Sequence, residues 1–227
     1  MEDCNKIQEL LAYYEVALGQ MINKEKTTPF FSKNIDEQTQ EAIKAALNVP
    51  AIQHYEKYLG LPFFVGRNKK ACFTQIEERI WAKMQGWKEQ LLSQASKEVV
   101  IKTVAQSIPA YSMSVFKLLV GLCKDIEAMI HKFWWGNGDS KKIHWVKWRS
   151  ICSSKSIGGV GFQNFQKFNN ALLAKQVWRL IHQKDLLIFK VFCAKYFSNG
   201  CILDAPIHPK CSYAWRSILQ ARVVINK

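Results

Sequence analysis

The sequence contains no Asp-Asp pair, and Glu77 and Glu78, the only adjacent acids in its basic part, point about 100° apart on a helix. Two-metal chemistry therefore has no visible home. There is no GxSxG, no HExxH and no Cys/His pair at nucleophile spacing. "GGVG" at residues 158–161 lacks both the Lys-Ser/Thr of a phosphate-binding loop and a full GxGxxG, so it reads as a turn with positive φ. The seven cysteines form no CxxC knuckle. Cys193, Cys201, His208 and Cys211, separated by seven, six and two residues, match no common zinc spacing, so free thiols and no metal are expected. No run of 18 uncharged apolar residues exists, and the start "MEDCNKIQEL" is acidic and polar. The expectation from that pattern is neither a membrane-spanning helix nor a secretory signal, and a soluble intracellular protein, nuclear or cytoplasmic, without a membrane partner.

What is present is a core and a strong charge asymmetry. With 227 residues, 48% of them hydrophobic, the chain can bury a sizeable interior. Residues 1–57 hold six Lys/Arg against nine Asp/Glu, a balance of −3, whereas residues 58–155 hold sixteen against seven and residues 156–227 ten against two. The cationic excess begins sharply after the first quarter. A polyanion is its natural partner; nucleic acid fits best, with an anionic membrane surface and plain solubility as the other readings.

Apolar periodicity outlines the elements. Ile7, Leu10, Leu11, Tyr14 and Leu18 mark an amphipathic helix over 5–18 that Gly19 ends. A turn and short strand are expected near Phe30 and Phe31, and Asp36 should cap a helix running to about Leu47. "KYLGLPFFVGR", broken by Gly60 and Pro62, suggests a strand pair or tight turn. Ile76, Ile80, Met84, Trp87 and Leu91 predict one long helix, and Ser96, Val99, Val100, Val104 and Ile108 another that Pro109 ends. Residues 113–135 predict a third, closed by Gly136. Shorter helices are expected near 145–152, 164–182, 185–197 and 212–222. The fold class is thus α+β but predominantly α-helical.

The stretch "IHKFWWGNGDSKKIHWVKW" holds four of the eight tryptophans. Phasing residues 113–135 as one helix puts Phe116, Leu119, Leu122, Met129, Ile130, Phe133 and Trp134 on a core face, and Lys117, Lys124, His131 and Trp135 on an opposite stripe at about 140–180°. That stripe, extended toward Lys141 and Lys142, is either an ordinary solvated face or a phosphate-tracking surface with an interleaved ring. Trp145, Trp148 and Cys152 have the spacing of a buried face.

Read in order, "YEVALGQMINKEKTTPFFSKN", "YLGLPFFVGR", "RIWAKMQGWKEQLLSQASKEVVIKTVAQSIPAYSMSVFKL", "FWWGNGDSKKIHWVKW" and "GGVGFQNFQKFNNALLAKQVWRL" resemble the polymerase polyprotein of plant LINE-type non-LTR retrotransposons, over roughly residues 4–222. The resemblance implies a reverse transcriptase, an RNA-directed DNA polymerase, often with a downstream ribonuclease H module. It also implies that the family's aromatic-Ala-Asp-Asp motif lies before the present start. The expectation is accordingly a fragment without a catalytic centre: 1–57 as the truncated end of the palm, a partial α/β segment; 58–135 as the palm–thumb junction and helical thumb; 136–227 as a helical connection region. Mg2+ would belong to the missing motif, and the missing palm and fingers would be natural partners.

By the same resemblance, Lys26 in "INKEKT" lies near the incoming nucleotide, and Tyr58, Leu59 and Gly60 in "YLGLP" either hold the primer end or form a hinge. Arg67, Lys69, Lys70, Lys83, Lys88, Lys97 and Lys102 would grip the backbone of an RNA:DNA or DNA duplex without sequence preference. A decayed or domesticated helical interaction module is the other functional reading.

Overall fold

The computed structural model describes residues 2–23, 27, 29, 31, 34–48, 57–58, 61–62, 65–66, 68–88, 92–136, 146–197, 201–209 and 211–225. These form a mostly helical protein that divides into two compact units, Met1–Phe63 and Phe64–Lys227. The first carries six Lys/Arg and nine Asp/Glu, the second 26 and nine, so the units differ in sign as well as in fold.

In the first unit, α1 (Glu2–Leu18) packs on α2 (Glu37–Leu47), and the Gln8 side-chain amide donates to the Ala46 carbonyl. Asp36 caps α2 as its sequence position requires: its carboxylate accepts the Thr39 N–H at 2.9 Å, and that hydrogen bond holds its pKa below the ordinary carboxylate range. Asn48 closes the helix in the left-handed region at φ +49°. Strands β1 (Lys57–Tyr58) and β2 (Leu61–Pro62) form the expected antiparallel pair, with Tyr58 opposite Leu61. Phe31 itself is not in a strand, and Phe30, with most of the neighbouring residues of the expected short strand, lies outside the described residues. The apolar stripe of α1 does not become core: Ile7, Leu10, Leu11, Tyr14 and Leu18 are all exposed, Leu10 by 68%.

The second unit begins with α3 (Lys69–Lys88), whose Phe73, Ile76, Ile80 and Met84 are buried against α6 (Val120–Trp135). Two of the predicted helices are built differently. The one predicted from Ser96 onward starts earlier, capped by Ser93, whose hydroxyl accepts the Ser96 N–H at 3.2 Å; α4 (Gln94–Val100) then loosens into a π-helical turn over Ile101–Ala105. The extra residue, marked by a Gln106 N–H to Ile101 C=O bond of 2.9 Å, turns Ile101 and Ala105 inward and leaves Val99 exposed. Pro109 starts α5 (Ala110–Val115) instead of ending its predecessor, where its missing N–H costs nothing.

The predicted helix over 113–135 is two helices. Phe116 is extended, at φ −121° and ψ 143°, and α6 begins only at Val120. No glycine or proline marks this break. It is made from outside by Asn169 of α8 (Phe165–His182), buried to 1% exposure, which bonds three backbone groups of the link. Lys117 is therefore not on the α6 stripe; a single helical phase does not extend through the extended link.

The remaining elements are α7 (Trp148–Ile151), a 3-10 turn at Lys155–Ile157, α9 (Leu187–Tyr196), α10 (Tyr213–Gln220) and α11 (Arg222–Ile225). Helices from both sides of residue 135 share one interior, α5 and α6 packing on α8, and α8 on α10 and α11. A second cluster gathers Leu173, Val177, Leu180, Phe197, Ile202, Trp215 and Ile218, with Trp215 stacked between Tyr196 and Phe197 at 4.7 and 5.5 Å. Arg222 fastens its edge: one guanidinium nitrogen donates to the carbonyls of Ile202, Leu203 and Ala205 at 3.2, 2.6 and 2.8 Å. The "GGVG" turn has the positive φ its glycines suggest, +84° at Gly158 and +75° at Gly161.

Candidate nucleic-acid interface

The cations singled out from sequence fall into distinct environments. Lys26, Leu59, Gly60, Arg67, Lys141 and Lys142 lie outside the described residues, as does Trp145. Tyr58 lies in β1 and Lys88 ends α3. Lys70 and Lys83 on α3, and Lys124 on α6, are exposed and close no ion pair among the described residues. Their ammonium groups are open to a phosphate.

Four other lysines are already engaged by the fold. Lys69 Nζ sits 4.9 Å from the Tyr213 ring centre and Lys97 Nζ 5.7 Å from that of Phe133, cation–π contacts worth about 0.5–1 kcal/mol each. Lys102 donates to Glu98 at 2.8 Å and to the Val160 carbonyl at 2.7 Å. Glu98 also takes Lys155 at 2.6 Å, and these two donors hold its carboxyl below the ordinary range. Lys102 thus ties the π-helical turn to the glycine turn. Lys117, half-buried, donates to the Asn170 side chain, while its backbone carbonyl accepts the Tyr213 hydroxyl; loss of water lowers the pKa of its ammonium.

The tryptophan pair separates as its phase implies. Trp134 is 9% exposed and meets Phe162 edge to face at 5.2 Å; Phe162 in turn stacks on Trp148 at 5.8 Å. Trp135 is half-buried, and its indole N–H donates to His131 Nε2 at 3.0 Å. The same nitrogen lies 3.1 Å from the Val146 carbonyl, which requires it to be a donor. The two contacts need opposite protonation states of one atom, so only one is made at a time. His131 also meets Trp148 edge-on at 5.9 Å, joining α6 to the segment after the loop.

Beneath this cluster lies a buried carboxylate, Glu127. It accepts the Phe165 N–H at 2.9 Å, fixing the start of α8, and burial raises its pKa. Burial and the nearby carboxylate push the Cys123 and Cys152 thiols up to about 11, which makes them inert rather than nucleophilic. Among the described residues, no three His, Cys, Asp or Glu side chains come together as a metal site.

A further cationic face was not anticipated from sequence. On α8, Lys167, Lys175, Trp178, Arg179 and His182 are all exposed, and the helix contains no Asp or Glu. Helical phasing would have found it: taking Leu173 as the core direction, these five fall between about 120° and 240°. The chain contains no acid at all from residue 140 to 184, a second signal in plain view.

What fold and surface define together is a mostly helical protein with a cationic second unit. The chain is 39% identical over 123 residues to the uncharacterized mitochondrial protein AtMg00310 of Arabidopsis thaliana, covering 53% of this chain and 80% of that one. It belongs to the family of that protein. It is also 36% identical over 161 residues to an Arabidopsis thaliana protein named "Putative ribonuclease H protein At1g65750", an alignment covering 70% of this chain and 26% of the longer protein. No protein-family model matches. No helix among the described residues is long and apolar enough to cross a membrane.

Proposed function

We propose that the chain is a piece of a plant retroelement polyprotein, corresponding to the thumb and connection of its reverse transcriptase, that holds the backbone of an RNA:DNA or DNA duplex without reading sequence. The carrying observation is the charge of the second unit, 26 Lys/Arg against nine Asp/Glu, with Lys70, Lys83 and Lys124 exposed and in no ion pair among the described residues. Such a surface gains affinity by releasing counterions from phosphates. The relationship to a longer protein named for ribonuclease H supports the same reading, since the resemblance of the motifs implies such a module downstream. On this reading the chain alone does not polymerise.

Titrating labelled RNA:DNA and DNA duplexes against salt tests it. Binding should weaken by orders of magnitude between about 50 and 200 mM salt, and Lys70→Ala, Lys83→Ala and Lys124→Ala combined should flatten the log–log slope by about one unit per lost contact. Absence of binding at low salt overturns the proposal, and nucleotide incorporation by the isolated chain overturns its inactivity.

The outward apolar stripe of α1 favours a second reading, an interaction module. Self-association or partner capture that Leu10→Glu abolishes, with no nucleic-acid binding, would select it.

A further inference from the structure

We infer that the outward face of α8 is a stacking platform for single-stranded nucleic acid, a deepening that rests on the nucleic-acid reading above. Lys167, Lys175, Trp178, Arg179 and His182 follow one another along the helix over about 22 Å, at about 1.5 Å per residue. Trp178, 56% exposed, lies parallel to the His182 ring, centroids 4.0 Å apart and planes at 29°. His182 Nδ1, 3.0 Å from the Trp178 carbonyl oxygen, donates to it as Nδ1–H. That bond fixes the imidazole against the indole. The pair is a pre-stacked aromatic step exposed to solvent.

Its surroundings say what fits on it. No acid on α8 competes for its cations, and Lys167 and Lys175 make no ion pair among the described residues. The Arg179 guanidinium makes a long contact, 3.4 Å, to Gln176, and no ion pair among the described residues. Lys167 and Lys175 thus lead up to the ring pair along the helix, and Arg179 lies between its two members in sequence. Phosphates can track the cations while a base continues the two-ring stack, and an unstacked base presents its face freely whereas a duplex hides it. An acidic peptide would satisfy the charges but has no flat ring for the step.

The test uses the full chain with single strands of roughly 15 nucleotides, oligo-dT and oligo-U, and a blunt duplex of equal length at one salt concentration. Trp178→Ala should weaken single-strand binding about 5- to 100-fold, with duplex binding changed less than about twofold, and Trp178→Phe should retain most of the affinity. Indole fluorescence should be quenched by the single strand in the native chain, and less so in Trp178→Phe. Because the ring is more than half exposed, both variants should keep the native far-ultraviolet spectrum. Equal weakening for both ligands, unchanged single-strand binding, or competition by poly-glutamate as effective as by oligo-dT would each overturn the platform while leaving duplex binding, and the reading above, in place. If neither nucleic acid binds, both fall together.

Discussion

Asn169 takes the N–H of Leu118 into its side-chain oxygen at 2.9 Å, and its amide nitrogen donates to the Met113 and Phe116 carbonyls at 2.7 and 2.9 Å. A helix passing through Phe116 and Leu118 would have to satisfy those groups internally. One side chain from α8 instead satisfies all three, which is why α5 and α6 are separate. Asn169→Leu keeps the branched shape but strands one donor and two acceptors in the interior. With about 1–3 kcal/mol for each such group, the loss should be at least about 3 kcal/mol, measured by urea unfolding.

Trp134 and Trp135 are neighbours with different environments. Trp134→Ala removes a buried ring packed on Phe162 and should cost about 3–5 kcal/mol. Trp135→Ala removes one hydrogen bond to His131 from a half-buried site and should cost about 1 kcal/mol. Equal losses would mean that the phase assigned to α6 is wrong.

Glu127 gives stability a pH dependence of defined sign. Burial raises its folded-state pKa above the ordinary value of 4.5, so the folded chain binds more protons than the unfolded chain between those two values. Stability associated with this group is therefore full below about pH 4.5 and declines as pH rises through its raised pKa. Glu127→Gln keeps a carbonyl oxygen to accept the Phe165 N–H and carries no charge. Unfolding free energies measured from pH 4 upward should show the variant gaining on the native chain through the window that begins at 4.5.

Gly159 has no room for a side chain. A Cβ there would lie 2.0 Å from the Ser153 carbonyl oxygen, a backbone atom that cannot swing aside. Gly159→Ala should lower the melting temperature by several degrees, since it must displace the turn whose Val160 carbonyl Lys102 holds. Gly121→Ala, where a Cβ meets nothing within 4 Å, should leave the melt unchanged or raise it slightly.

Features set by neighbours in sequence were legible. The Asp36 cap, the β1–β2 pair and the positive-φ glycine turn follow from residues a few positions apart, and each formed where expected. The split of α5 from α6 was not, because its cause lies more than fifty residues away in a single amide. The site divides along the same line. Local phase assigned Trp134 inward correctly, but engagement of Lys102 by Val160 and of Lys117 by Asn170 depends on tertiary partners that no periodicity reveals. Trp178 was legible in principle: the apolar positions of α8 already leave it outside.

The Asn169 contacts also join parts of the chain that are synthesised at different times. Residues 110–135 are made before residue 169, and at roughly 5–20 residues per second the gap from 135 to 169 is about 2–7 s. Throughout that interval the nascent link has no amide to draw Leu118, Met113 and Phe116 out of a continuous helix. The bend therefore depends on a residue made well after it, and a chain ending before residue 169 would lack the side chain that holds it.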